Sequence, residues 1–326
     1  MVTKVSIVIP TYKRPALLKR CIDSLLSQDF PKEEFEIIII TDGPDEETLS
    51  MVQQFTCNTC FKNISCYCLP SKKGPAAARN AGWKIGKGRL ILFTDDDCIA
   101  HKDWVKYYFN AFEFYAEPFI AFTGRIIVPR STHPTDFELN TAHLEHADFV
   151  TANCACSKMA LEKVNGFDEA FTMAWREDSD LEFKFLKQDI PINKIEEAVI
   201  IHPVRKAPWG VSLKEQKKSM FNALLFKKHP GLYRERIRSS ILWNYYLMIF
   251  LFVTFFVAWH YGEKIIAIIC ISTWAILLGL FVSKRLSNAS RSFNHVAEMI
   301  ATSILIPFIS VFWNLYGAYK FKALRL

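Results

Sequence analysis

The stretch 90-LILFTDDDC-98 sets an uncharged run directly before three consecutive aspartates, Asp95, Asp96 and Asp97. Like charges this close repel one another, and a folded chain keeps them only where a cation or hydrogen-bond donors compensate. The run 90-LILFT-94 has the length and continuous apolar character of a strand covered on both faces. Upstream, 5-VSIVI-9 and 35-FEIIIIT-41 read the same way, with 16-ALLKRCIDSLLSQ-28 at helical spacing between them. A third strand, 64-ISCYCL-69, passes through 70-PSKKGP-75 into a helix over 76–86, and a further helix is predicted from Trp104 to Tyr115. This rhythm predicts an α/β fold with a mostly parallel central sheet and helices on both faces. In such sheets ligands bind at the carboxyl ends of the strands. Tyr12, Asp42 and Asp95 to Asp97 fall there, which suits an anionic ligand together with a metal ion.

Beyond residue 120 the alternation loosens into 120-IAFTGRIIVP-129, the strand candidate 148-DFVTANCAC-156, the turn 165-NGFDEAF-171 and 175-WREDSDLEFKFLKQDI-190. Leu181, Phe185 and Leu186 mark an apolar helix face in the last piece. Glu177, Asp178 and Asp180 stand in its first turn, where the helix dipole favours acids and where capping alone would use one or two of them. The first strand is not followed by a glycine-rich dinucleotide fingerprint, which argues against a nicotinamide cofactor.

Composition divides the 326 residues after Arg238. The runs 241–259 and 265–283 are each 19 residues without a charge, long enough to cross about 30 Å of hydrocarbon. They predict a transmembrane hairpin turning at 260-HYGEK-264. The run 299–319 is long enough too, but Pro307 and several hydroxyls leave spanning, kinking and re-entry open. The segment 211–228 reads as an amphipathic helix at the membrane interface. The division expected is a catalytic domain over 1–210, a basic interfacial segment over 211–238 and a membrane region of two or three helices over 239–326. MVTK leads into the first strand with no signal peptide, so the large domain is expected in the cytoplasm, at the cell inner membrane or its equivalent. The basic flanks 227-KKHPGLYRERIR-238, Lys284, Arg285 and Arg291 agree, whereas a third full span would put Lys320, Lys322 and Arg325 outside, against that rule. The net charge of +7 suits an anionic membrane face and phosphate-bearing substrates rather than nucleic acid, since no basic stripe interleaved with aromatics accompanies it. Cys57, Cys60, Cys66 and Cys68 are read as reduced thiols in preference to a zinc knuckle, because Cys66 and Cys68 share one face of a strand.

Taken together, SIVIPTYKRPALLKRCIDSL, DGPDEET, GPAAARNAG, LFTDDDC, NGFDEAF, WREDSDLEF and the histidine of AVIIHP resemble the family 2 glycosyltransferases of the GT-A fold, over about residues 5 to 205. The hydrophobic tail resembles members that act on lipid-linked or membrane-delivered acceptors. The resemblance implies that Tyr12 stacks near the nucleobase, Asp42 accepts from its imide, and Arg79 contacts the nucleotide or its diphosphate. Asp95 would hold ribose and the water shell of a Mn2+ or Mg2+ ion. Asp97 would ligate the ion, with His202 approaching it, and Asp178 would be the general base. Thr41 stands where the family usually has a first acid, which leaves the base undetermined. Asp96 is expected to point elsewhere, as alternate residues of an extended segment do. Trp175, Glu177 and Trp209 are assigned to the acceptor region, and Cys154 and Cys156 stand where the family often presents Asn and small residues to the acceptor.

The chemistry fits these residue types. A sugar nucleotide gives up its sugar and releases a nucleoside diphosphate whose developing charge a divalent ion neutralises, and the acceptor hydroxyl needs one carboxylate to take its proton. A single base with no second carboxylate placed as a nucleophile predicts direct displacement with inversion. The expected partners are a nucleoside diphosphate sugar, UDP-linked, and a lipid-linked or polysaccharide acceptor. A sugar-1-phosphate nucleotidyltransferase is the alternative enzyme, but PTYKRP offers no phosphate-cradling glycine loop. An inactive membrane scaffold retaining the fold is the alternative outside enzymes, and the acids at every matched position argue against it.

Overall fold

The computed structural model describes residues 2–58, 61–237 and 242–323. The chain divides into two units, one of Met1–Pro129 with Ala142–Val204 and one of Arg130–Thr141 with Arg205–Leu326. Segment 130–141 lies inside 1–210 in sequence yet packs within the second unit.

The first unit is built on strands β1 (Val5–Thr11), β2 (Phe35–Thr41), β3 (Ile64–Cys68), β4 (Leu90–Phe93), β5 (Ile99–Ala100), β6 (Ala121–Ile127), β7 (Cys154–Ser157) and β8 (Ile192–Ile201). They form one sheet in the order β3-β2-β1-β4-β7-β6-β8-β5. The half from β3 to β4 is parallel, β7 runs antiparallel to both β4 and β6, and β6 and β8 are again parallel. The sheet is therefore mixed, with its parallel half at the end where the ligand was expected. Helices α1 (Pro15–Leu26), α2 (Glu46–Asn58), α3 (Pro75–Ile85) and α4 (Trp104–Tyr115) follow β1, β2, β3 and β5.

Alternation along the central strands explains their unbroken apolar sequence. Ile7 and Ile9 of β1 join one core cluster with Leu18, Ile22 and Leu25 of α1, while Val8 between them joins a second cluster with Ala76 and Trp83 of α3. Both faces of β1 are thus covered, and each of these side chains removes apolar surface from water. In α3, small residues let the helix sit close. A Cβ at Gly82 would lie 2.4 Å from Val8 Cγ1.

A bulge between β6 and β8 is closed by Asn153. The β6–β8 register shifts between Gly124 and Arg125. Asn153 Nδ2 donates to the carbonyls of Arg125 and Ala198, both at 2.9 Å, while its Oδ1 accepts from Trp104 Nε1 and Tyr108 Oη, both at 2.8 Å. One buried amide satisfies groups the bulge would otherwise strand. Cys154 and Cys156, expected toward the acceptor, are instead core residues of β7, both at 0% exposure.

Two helices complete the first unit, and one begins the second: α5 (Asp136–Ala142), α6 (Lys158–Lys163) and α7 (Glu177–Lys187). The expected helix over 211–228 is divided into α8 (Val211–Glu215), a 3-10 turn over Gln216–Met220 and α9 (Phe221–Lys228), followed by the short α10 (Pro230–Leu232). Its apolar residues Phe221, Ala223, Leu224 and Leu225 are buried within the unit. Three helices long and apolar enough to cross a bilayer stand among the described residues: α11 (Trp243–His260), α12 (Lys264–Leu286) and α13 (Phe293–Lys320). The turn between α11 and α12 uses Gly262 at φ +82°. Ile241, Arg238 and Arg325, which the sequence reading used, lie outside the described residues.

Gly82→Ala is expected to destabilise the purified protein by about 1–3 kcal/mol, the usual cost of overpacking a core. Gly231→Ala, where an added Cβ meets nothing within 4 Å, is expected to leave the thermal unfolding midpoint near that of the unmodified chain. Equal midpoints for both variants would contradict the close seating of α3 on β1.

Candidate active site

The aspartates that end β4 do not continue as an extended strand. Cys98 N donates to Asp95 O at 3.1 Å, closing a tight turn, and the turn spreads the three carboxylates toward different partners. Asp95 Oδ1 meets Arg79 Nη2 at 2.7 Å. Asp96 turns back on β1, accepting from Thr11 Oγ1 at 2.7 Å and pairing with Arg14 Nη1 at 3.2 Å. Asp97 Oδ1 faces His202 Nε2 at 3.8 Å. Asp96 does point away, as expected, but through turn geometry rather than strand alternation. Burial pushes its carboxyl up to about 6 despite Arg14 and Thr11, with its two acidic neighbours adding to the rise.

Arg79 links this turn to α7. The residue is 2% exposed, and while Nη2 holds Asp95, Nη1 meets Glu177 Oε1 at 3.1 Å. Burial alone would favour the neutral form, but the two carboxylates hold it charged, above its ordinary value. The sequence reading placed Arg79 on the nucleotide and Glu177 with the acceptor. Instead both are buried and joined, because a charge in the interior needs a hydrogen-bonded partner. Burial pushes Glu177 up to about 7, with Asp178 adding to the rise and Arg79 opposing it. Asp178, the next residue of α7, is half-buried and accepts from Ser179 N at 2.7 Å. Burial raises its carboxyl above the ordinary range as well.

The rest of α3 explains why AARNAG is one motif. Asn80, beside Arg79, accepts from Phe167 N at 2.9 Å through Oδ1 and donates to Phe167 O at 2.9 Å through Nδ2, which fixes the NGFDEAF turn. Asn80, Thr11 and Arg14 were passed over in sequence. The adjacency of Asn80 to Arg79, and of Thr11 to Tyr12, was the only signal they carried.

At the carboxyl ends of β1 and β2, Asp42 is buried and accepts from Lys73 N at 2.7 Å and Gly74 N at 2.9 Å. The carboxylate thereby organises the loop that leads into α3, whose Gly74 stands at φ +103°. Tyr12 is half-buried, with Lys72 Nζ 4.2 Å from its ring centroid. Trp175 is 38% exposed under the Arg176 guanidinium, whose carbon lies 4.7 Å from the ring centroid. Trp209 belongs to the second unit, where it is 60% exposed.

Donor atoms of Asp97, Cys98 and His202 lie within 4.8 Å of one another. The 3.8 Å between Asp97 and His202 is too long for a hydrogen bond, and His202 Nδ1 has no hydrogen-bond partner among the described residues. A carboxylate and an imidazole so placed fit a divalent ion that keeps sites for substrate oxygens. Asp95, expected as a member of this set, lies outside it with its carboxylate on Arg79. Cys98 enters by position, but burial and the adjacent aspartates push its thiol up well above the ordinary value, which leaves it a neutral neighbour. Among the described residues no such group includes Cys57, Cys66 or Cys68, and Cys60 lies outside them.

Residues 6–171 match the family described as Glycosyl transferase family 2. Among curated proteins, Glycosyltransferase AglE of Haloferax volcanii is 29% identical over 102 residues, 31% of this chain and 33% of that one. The chain therefore spans about a third of that relative's length. Among solved structures, the mannosyltransferase PcManGT from Pyrobaculum calidifontis, in complex with GDP-Man and Mn2+, aligns with a TM-score of 0.57 at 16% identity, over 99% of this chain and 88% of that one. Residues 1–349 of TarS from S. aureus, in complex with UDP-GlcNAc, align with a TM-score of 0.50 at 16% identity, over 99% and 93%. These two likenesses establish a shared fold.

Arg79→Ala is expected to cost about 3–5 kcal/mol, because it leaves two carboxylates without their countercharge. Arg79→Lys should recover only part of the loss, since an ammonium lacks the planar fork that reaches both acids. Unfolding midpoints of the two variants measure this, and full recovery with lysine would show that the fork is not what holds the turn to α7.

Proposed function

We propose that this chain, which belongs to glycosyl transferase family 2, transfers a sugar from a nucleoside diphosphate sugar, UDP-linked, to a lipid-linked or growing glycan acceptor, with inversion of configuration. The reaction is assigned to the cytoplasmic face of the membrane. The observation that carries the reading is the coupling through Arg79. One buried guanidinium ties the turn bearing Asp97 to the helix bearing Asp178, so a metal-type pair and a candidate proton acceptor belong to one arrangement.

Asp97 and His202 would hold a Mn2+ or Mg2+ ion. Such an ion supplies neutralisation of the charge that develops on the leaving β-phosphate. Asp95, aimed by Arg79, is left to orient the donor at the edge of that site. Tyr12 offers a half-exposed aromatic face for a nucleobase, and Asp42 shapes the loop beneath it. Asp178 would take the proton of the acceptor hydroxyl as that oxygen attacks the anomeric carbon. Its raised carboxyl suits the role, since a stronger base accepts a proton more readily near neutral pH. Glu177 acts through Arg79 and Asp178 as a positioning residue, and Trp175 offers a partly exposed face to an acceptor sugar.

Asp97→Ala is expected to remove nearly all transfer and to weaken metal-dependent donor binding, and excess EDTA should do the same to the unmodified enzyme. Full activity under either condition would refute the metal assignment. Asp178→Asn separates base from donor site. It should leave donor affinity by calorimetry close to that of the unmodified enzyme while lowering turnover on the order of 10²- to 10⁴-fold. Loss of donor binding as complete as in Asp97→Ala would remove Asp178 from the role of base, and a product that retains the donor's anomeric configuration would exclude single displacement.

A further inference from the structure

Helix α13 has the length of a membrane span, but its partner along most of that length is the basic segment 210–227. Gly210 N donates to Glu298 Oε1 at 2.7 Å near the start of the helix. Lys217 Nζ lies 5.5 Å from the Trp313 ring centroid, and Asn314 Nδ2 donates to Ser219 Oγ at 3.3 Å. A Cβ on Gly317 would come within 2.3 Å of Met220 O, so the two backbones nearly touch. At the far end Lys227 Nζ donates to Phe321 O at 2.8 Å. The segment and the helix thus run side by side in the same direction from Glu298 to Phe321, about 34 Å at helical rise.

A crossing orientation for α13 would carry this companion through the bilayer with it. Lys214, Lys217 and Lys227 are all exposed, and an ammonium held in hydrocarbon is costly even where a ring or a single carbonyl meets it, as at Lys217 and Lys227. The faces of α13 point the same way. Met299, Ser303, Ile306, Ser310 and Gly317 are buried on one side. Leu305, Phe312, Leu315 and Tyr319, at 46%, 58%, 57% and 84% exposure, form an apolar stripe on the other. Phe308, within that stripe, packs against Phe252 of α11 with ring centroids 5.4 Å apart, so the middle of the helix reaches the hairpin.

We infer that α13 does not cross the bilayer: it lies obliquely in the interface on the side of the basic segment, its Leu305-to-Tyr319 stripe seated in acyl chains, with both of its ends on that side. Only α11 and α12 cross. Lysines on one side and an apolar stripe ending in Tyr316 and Tyr319 on the other are what an interfacial helix presents to anionic lipid. Lys320 and Lys322 then stand on the same side as Lys284 and Arg291, in keeping with the distribution of positive charge around short connections. The inference does not depend on the chemistry proposed above.

Three epitope tags, placed before Val2, within the turn at Gly262 and after Leu326 of the full chain, test it in sealed vesicles of one orientation. A membrane-impermeant protease should reach the two terminal tags from one side and the turn tag from the other. A C-terminal tag found with the turn tag shows that α13 spans, and all three on one side shows that the hairpin does not; either overturns the inference. A photoreactive amino acid at Phe312 adds a second readout. Adducts with lipid are expected, and a covalent dimer would mean that a second copy of the chain, not the bilayer, covers the stripe.

Discussion

The candidate site depends on one buried guanidinium with a carboxylate on each side. Arg79 is provided by a helix that packs on β1, Asp95 by the turn after β4, and Glu177 by the first residue of α7. A single acid beside an arginine would fix only two of these elements. With two acids the arginine joins all three elements, and Glu177 is pushed up to about 7 by its burial, with Asp178 adding to the rise and Arg79 opposing it. The pair of acids therefore holds the geometry at the expense of keeping one of them close to its proton. Such an arrangement contributes little net stability compared with apolar packing, and its loss would still be severe, because the remaining charges are buried.

The sheet makes that arrangement reachable. β1 and β4 end side by side, with Thr94 N donating to Val8 O at 3.4 Å, so the acidic turn comes down beside Thr11 and Arg14. Asp96 is anchored there, and Asp95 and Asp97 are left to face other ways. The antiparallel β7 on the other flank of β4 contributes no functional group of its own. It brings Asn153 to the β6–β8 bulge, and the far end of β8 delivers His202 opposite Asp97. Asp95, Asp97, Glu177 and His202 therefore come from strands and helices distant in sequence but adjacent in the fold.

The parallel half of the fold was legible in the sequence because burial on both faces leaves an unmistakable run of apolar residues. Strands β1, β2 and β4 and helices α1 and α4 stand within a residue or three of the positions expected. The mixed half was legible only in part: the strand expected over 148–156 is confined to β7 at Cys154–Ser157, β5 is too short to show a period, and the β6–β8 bulge breaks alternation. At the site, residue types announced that carboxylates, an arginine and a histidine would meet, yet not which would face which. A motif such as AARNAG states that Arg79 matters; it does not state whether its nitrogens point at a ligand or at Asp95 and Glu177. That choice is made by burial, which only the packed structure decides. The same holds for Asp95 and Cys98, where a turn in place of an extended strand exchanged their positions relative to His202.

The second unit repeats the device with a different arginine. Arg285, at the end of α12, donates through Nη2 to Asp136 Oδ2 at 2.8 Å and Ser212 Oγ at 3.2 Å, and through Nη1 to Thr302 Oγ1 at 2.7 Å and Ser303 Oγ at 2.9 Å. In sequence Arg285 reads as one of several basic residues flanking a hydrophobic run, and its neighbours Lys284 and Arg291 could serve that purpose without it. Its partners show why an arginine stands at this position. The fork collects segment 130–141, the start of α8 and the first turns of α13, three pieces that no apolar periodicity would bring together. The chain leaves the first unit at Pro129 and returns at Ala142, so Asp136, the first residue of α5, belongs to the second unit although strands of the sheet precede and follow it in sequence. A lysine at 285 would carry its three donors on one nitrogen and reach only partners gathered around that point; partners met by both Nη1 and Nη2 require a planar group with donors on two edges, which is the same requirement that Arg79 meets between its two acids.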